Sequence, residues 1–163
     1  MNIRKVNLKD ARQISEIYNF YVMETHHSFE NEAVSINDMM DRIEAISASC
    51  PFLVCEEKNE ILGFAYATHY KPRSAYQHSV EVSVYLKNDV KHKGIGTKLY
   101  ERLFEEIDKM RVHAIIAGIS LPNDASIRLH EKFGFEKVAH FREVGFKMNR
   151  WIDVGYWEVI RGN

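Results

Sequence analysis

The stretch from Val80 to Ile107 narrows most what this chain can fold into. Val80, Val82, Val84 and Leu86 alternate with Glu81, Ser83 and Tyr85, the period of a β-strand with one apolar face. Two glycines follow, Gly94 and Gly96, and then Leu99, Leu103 and Ile107 recur at helical spacing with Tyr100 and Phe104 beside them. A strand that runs through a glycine turn into an amphipathic helix leaves the first helical amides unpartnered at the positive end of the helix dipole. Such a terminus attracts anions, and glycine lets a phosphate approach the backbone with no Cβ in the way. Lys91, Lys93 and Lys98 add positive charge at the same point. A ligand carrying a pyrophosphate is the first expectation, and several nucleotide ligands fit it.

The flanking sequence frames this unit. Ile3 to Val6 reads as a strand, and Asn7 or Asp10 can cap a helix carrying Ile14, Ile17, Tyr18 and Tyr21. Glu24 to Val34, with His26, His27 and Phe29, reads as a structured loop. Ser35 precedes a second helix with Met39, Ile43 and Ile46 on one face. Phe52 to Cys55 and Ile61 to Ala67 form a hairpin across the polar turn Glu57 to Glu60. Lys71 to Gln77 is a loop broken by Pro72. Ala114 to Ala117 is a continuous apolar run, as in buried strands. Leu121 to Asp124 supplies a loop and cap for a helix over Ala125 to Phe133, stopped at Gly134. Val138 to Met148 and Val154 to Ile160 read as closing strands. The order β-α-α-β-β-β-α-β-α-β-β predicts one domain, 1–163, of the α+β class: a mixed α/β sandwich with helices on both faces.

Composition removes several functions. The formal net charge of -1 gives no global field for nucleic acid. No apolar run approaches the ~20 residues that span a bilayer. The first residues read as folding material rather than a signal peptide, so a cytoplasmic setting is expected. Cys50 and Cys55 have no second pair and read as small buried thiols. The histidines show no metal-ligand spacing, so no metal is expected.

Two blocks then carry a resemblance. Lys91-x-x-Gly94-x-Gly96 resembles the Arg/Gln-x-x-Gly-x-Gly/Ala signature of the GNAT acetyltransferase superfamily, with lysine at its first position. Asn123 to Phe135 resembles the Asn-x-x-Ala-x-x-x-Tyr-x-x-x-Gly-Phe block of that superfamily, with Ser126 for the alanine and His130 for the tyrosine. Further strings are similar to the phosphinothricin/methionine-sulfoximine branch: Ile17-Tyr18-Asn19, Ser79-Val80-Glu81, Ser83-Val84-Tyr85, Arg128-Leu129-His130-Glu131 and Asp153-Val154-Gly155-Tyr156-Trp157. The likeness runs from Ile3 to about Ile160.

The resemblance implies an acyl-CoA N-acyltransferase fold, with a central, mixed, mostly antiparallel sheet and helices on both faces. It implies acetyl-CoA as cosubstrate, a small-molecule amine as acceptor, and a homodimer; Trp151, read as lying in a turn, is placed to reach the second subunit. The CoA pyrophosphate would lie on the turn of His92, Lys93, Gly94, Ile95, Gly96, Thr97 and Lys98. Backbone groups of Val84, Tyr85 and Leu86 would pair with the pantetheine arm, and an N–H near Val84 would meet the acetyl carbonyl. Asn123 would bond the pantetheine, with Ser126 in the same cofactor-binding block. Ser74, Ala75 and Tyr76 would contact an amino-acid acceptor.

Acetyl transfer from a thioester to an amine needs the ammonium deprotonated, the carbonyl polarised and the thiolate accommodated. Glu81, alone among apolar strand neighbours, is the expected general base, because partial burial raises a carboxyl pKa. His130, in place of the thiolate-facing tyrosine, is expected to protonate the sulfur or assist deprotonation. Arg73 and Lys71 are placed to clamp a carboxylate. Tyr76, Phe29 and Tyr21 are placed to wall an apolar slot, while Tyr66 and Tyr85 read as sheet aromatics. Cys50 and Cys55 lie outside the matching motifs, which favours direct attack in a ternary complex over an acetyl-cysteine. The expected acceptor is of the phosphinothricin, methionine sulfoximine or methionine sulfone type. Two alternatives stand beside it: a GNAT enzyme for a polyamine, antibiotic or protein N-terminus, and a non-catalytic acyl-CoA-binding regulatory module.

Overall fold

A computed structural model describes residues 1–90 and 94–162. Seven strands form one sheet in the order β1-β2-β3-β4-β5-β7-β6. They are β1 (Asn2–Lys5), β2 (Phe52–Glu57), β3 (Glu60–His69), β4 (Ser79–Leu86), β5 (Ala114–Ser120), β6 (Glu136–Lys147) and β7 (Arg150–Ile160). Four helices complete the fold: α1 (Ala11–Glu24), α2 (Ile36–Ser47), α3 (Ile95–Ile107) and α4 (Asp124–Lys132). Every neighbouring pair is antiparallel except β4 and β5. The architecture is the mixed α+β one expected, with helices on both faces.

Local chemistry sets the element ends. Asn7 and Asp10 form a reciprocal capping box on a 3-10 turn that leads into α1, and the Ser35 hydroxyl accepts the Asp38 N–H at the start of α2. The β2–β3 turn places Lys58 and Asn59 at positive φ, and the β6–β7 turn does the same with Met148 and Asn149. Two consecutive left-handed residues give the backbone twist that a two-residue hairpin needs. The second hairpin corrects one expectation. β7 starts at Arg150, so Trp151 lies in a strand rather than in a turn, and it is exposed. Met148-Asn149 lacks the glycine that usually marks such a turn, which hid it in the sequence.

The core lies on both sides of the sheet. Leu99, Leu103 and Ile107 of α3 pack with Leu53, Ala65, Val80 and Val82, while Ile14 and Ile17 of α1 and Met39 and Ile43 of α2 pack with Phe52, Val54 and Phe64. Cys50 and Cys55 are buried free thiols. No helix among the described residues is long and apolar enough to cross a membrane.

The sheet is not continuous at its centre. β4 and β5 pair only over Ser79–Glu81 and Ala114–Ile116. Beyond Glu81 the two strands run on without pairing, β4 to Leu86 and β5 to Ser120. A fork opens there, with its apex at Glu81 and Ile116.

Candidate active site

The fork exposes main-chain hydrogen-bonding groups that a continuous sheet would use. Lys87 N–H donates to Leu62 C=O, and Tyr70 N–H to Ser79 C=O, across the β3–β4 ladder. Strand alternation therefore turns the backbone of Ser79, Glu81, Ser83 and Tyr85 toward β3, and that of Val82, Val84 and Leu86 into the fork. On the opposite edge, Leu121 N–H donates to Asp153 C=O, so Gly118 and Ser120 present their backbone to the fork and Ile119 faces β7. The pantetheine pairing expected of Tyr85 is corrected by this register. Its N–H and C=O are committed to β3, and its ring packs among Tyr18, Tyr21 and Phe64. One fork-facing acceptor is taken internally, since the Tyr21 hydroxyl donates to Leu86 C=O at 2.6 Å.

The start of α3 stands at the open end of β4. Gly94 caps the helix at φ +65, and a Cβ added there would meet nothing within 4 Å among the described residues, so its role is conformational. Lys98 N–H bonds Gly94 C=O, which leaves the amides of Ile95, Gly96 and Thr97 ahead of the first helical bond. Gly96 is buried, and a Cβ there would lie 3.3 Å from Leu129 of α4. No acidic side chain occupies the first turn, so the dipole is uncompensated. His92 and Lys93, also expected in this cradle, lie outside the described residues, as does Lys91.

A cavity of about 290 Å³ fills the fork, lined by Val82–Leu86, Gly118–Ser120, Tyr21, His27, Asn123, Ser126 and the Tyr100–His130 pair. Asn123 caps α4, its Oδ1 accepting the Ser126 N–H at 3.2 Å, which leaves its amide group free to donate. His130 is 3% exposed. Its Nδ1 lies 2.7 Å from Ser126 C=O, which can only accept, so Nδ1 carries the proton and Nε2 accepts from the Tyr100 hydroxyl at 2.8 Å. Burial lowers the His130 pKa, against the opposing pull of the Ser126 carbonyl, and keeps the ring neutral. Both ring nitrogens are thus engaged. The tyrosine partner was not legible, because Tyr100 reads simply as part of the apolar stripe of α3.

At the apex, Glu81 is half-buried and burial raises its pKa, while the Gly118 backbone N–H pulls the other way. On that face the Tyr156 ring stands beside Gly118, and Glu81 raises the Tyr156 pKa after burial does. Arg73, Ser74 and Ala75 are exposed on the loop before β4, and Tyr76 is half-buried edge-on to Tyr70. Lys71 Nζ sits over both phenol rings, at 5.0 and 5.6 Å from their centroids. Phe29 is partly exposed and seated on the bare Cα of Gly145. Tyr21 lines the fork cavity, which Phe29 and Tyr76 do not. The Glu24–Val34 loop is pinned over the fork: His26 Nε2 meets Pro122 C=O at 3.0 Å, and the buried Lys147 donates to Ser28 C=O at 2.6 Å. Among the described residues no cluster of His, Cys, Asp or Glu is built to hold a metal ion.

An open strand edge beside a helix N-terminus fits an extended ligand that carries amide groups and a phosphorylated end. Residues 3–155 match the acetyltransferase (GNAT) domain. The chain is 36% identical over 154 residues to the phosphinothricin N-acetyltransferase of Streptomyces coelicolor, covering 92% of this chain and 90% of that one. It is 34% identical over 160 residues to the L-amino acid N-acyltransferase MnaT of Escherichia coli, covering 98% and 93%. The Salmonella typhimurium protein yncA, solved with its cofactor acetyl-CoA, superposes with a TM-score of 0.97 at 33% identity, covering 100% of this chain and 95% of that one. The chain belongs to the GNAT acetyltransferases and is an acetyl-CoA-dependent N-acetyltransferase.

Proposed function

We propose that residues 1–163 act as one domain that transfers acetyl to the α-amine of a small amino-acid-like acceptor, of the phosphinothricin, methionine sulfoximine or methionine sulfone type, by direct attack in a ternary complex. The fork carries this reading, because it puts an open main-chain edge, a bare helix terminus and a carboxylate at one place. The amides of Ile95, Gly96 and Thr97, with Gly94 shaping the turn and Lys98 beside it, bind the pyrophosphate. Val84 and Leu86 offer backbone groups to the pantetheine, joined by the Asn123 amide. The thioester of bound acetyl-CoA supplies the activated acyl group. The Val84 N–H, aimed into the fork, polarises the carbonyl. Glu81 takes the ammonium proton, directly or through a water, helped by the raised pKa that burial gives it. The neutral His130, paired to Tyr100, stands in the wall where the sulfur departs. Arg73 and Lys71 receive the acceptor carboxylate, with Ser74, Ala75, Tyr76 and Phe29 around its side chain. The relatives named for phosphinothricin and L-amino acids support this acceptor class. Phe141, Val144, Phe146, Met148 and Trp151, exposed on the β6–β7 hairpin, support a homodimer through that face.

The test is CoA-thiol release by wild type and Glu81→Gln against a panel of amino acids, methionine sulfone, phosphinothricin and diamines. Turnover on the amino-acid-like amines is expected, and the variant should lose about 10²–10⁴-fold in rate with acetyl-CoA binding kept. Activity confined to diamines would overturn the acceptor class. Full activity in the variant would overturn Glu81 as base. Binding with no turnover on any amine would point to a regulatory module.

A further inference from the structure

Gly118 has a negative-φ strand conformation in no need of glycine, yet a side chain there would meet the reaction centre. An ideal Cβ on Gly118 would lie 3.3 Å from Glu81 Oε1 and 3.2 Å from Tyr156 Cε1. Gly118 sits opposite Tyr156 in the β5–β7 ladder, its N–H turned into the fork, beside a Glu81 carboxylate whose ionised form that N–H favours. We propose that Gly118 is a positioning residue for the transfer: its bare Cα gives room for the Glu81 carboxylate at the fork apex, and its N–H anchors it there. The inference rests on Glu81 being the base.

The two neighbours of a new methyl group are unequal. Tyr156 is held in β7 between β5 and β6, and its ring is backed edge-on by Phe141 at 5.5 Å. The Glu81 carboxylate ends a flexible side chain and is only half-buried. A methyl at position 118 therefore displaces the carboxylate rather than the ring. The displaced group leaves the Gly118 N–H, which favours the ionised form, while its burial persists. Its pKa then rises further, so the free enzyme reaches its active, ionised form at higher pH. Acetyl-CoA contacts on Val84, Leu86 and the start of α3 lie elsewhere on the fork and are left intact.

The experiment measures kcat, both KM values and the pH profile of kcat/KM for wild type, Gly118→Ala, Glu81→Gln and the double variant, with methionine sulfone as acceptor. For Gly118→Ala, kcat should fall about tenfold and the acidic limb of kcat/KM should move up by about half to one pH unit, with the KM for acetyl-CoA unchanged. In the Glu81→Gln background the alanine should cost nothing more, because the side chain it displaces can no longer take the proton. Should Gly118→Ala fold poorly, Tyr156→Leu is added to relieve the ring side, and the shifted limb should persist. A wild-type limb and rate in Gly118→Ala, or a full additional loss on top of Glu81→Gln, would overturn the role of Gly118 and leave Glu81 standing. Full activity of Glu81→Gln would overturn both.

Discussion

On the proposed reading, the two ends of β4 recognise their ligands by different means. At its C-terminal end the donor would meet main chain: the fork-facing groups of Val84 and Leu86 and the first amides of α3. At its N-terminal end the acceptor would meet side chains on an exposed loop, where Arg73, Ser74 and Ala75 stand in solvent and Lys71 rests on Tyr70 and Tyr76. Main-chain recognition is written into the topology and changes little with side-chain identity. Side-chain recognition on a loop can be rewritten residue by residue without disturbing the core. One fold can thus keep its donor and exchange its acceptor.

The donor end is tied to the core, so the largest effect is expected there. His130→Ala leaves the Tyr100 hydroxyl buried without its partner and opens a void beneath the fork. A loss of about 3 kcal/mol in unfolding free energy is expected by denaturant titration. The same histidine gives a pH signature. Burial depresses its pKa in the folded protein, whereas the unfolded chain takes up the proton near pH 6.5. Its neutral form therefore contributes stability above about pH 6.5, which is lost as pH falls toward the lowered folded value. His130→Gln should flatten the fall in melting temperature between pH 7.5 and 5.5; an unchanged slope would show that other groups set it.

A smaller effect is expected at the turn. Gly94→Ala meets no steric contact among the described residues but must hold φ +65, at a cost of about 1 kcal/mol. The KM for acetyl-CoA should rise while the KM for the acceptor stays. At the other end, Arg73→Ala should leave the melting temperature where it is and raise only the acceptor KM, about tenfold for a lost charge-assisted bond. A reversed pattern, with Arg73→Ala weakening acetyl-CoA, would break the division between the two ends.

The same division explains what the sequence made legible. The Val80–Leu86 alternation, the Gly94-x-Gly96 turn and the Asn123 cap are local patterns with local physical causes, and each element stands near its expected place. The fork is not local. It depends on where β4 and β5 stop pairing, and neither strand carries a residue that announces it. The Tyr100–His130 pair joins two helices, Gly118 reads as a pause in an apolar strand, and the commitment of the Tyr85 backbone to β3 follows only from the register. The Met148-Asn149 turn was missed because neither residue is the glycine that its conformation favours.

Amide hydrogen exchange resolved by residue, with and without acetyl-CoA, tests the central claim most directly. Added acetyl-CoA should slow exchange at Val84 and Leu86 and at Ile95, Gly96 and Thr97, while Ser83 and Tyr85, already bonded to β3, stay unchanged. Protection that skips Val84 and the start of α3, or that appears at Tyr85 in their stead, would contradict the fork as the donor site.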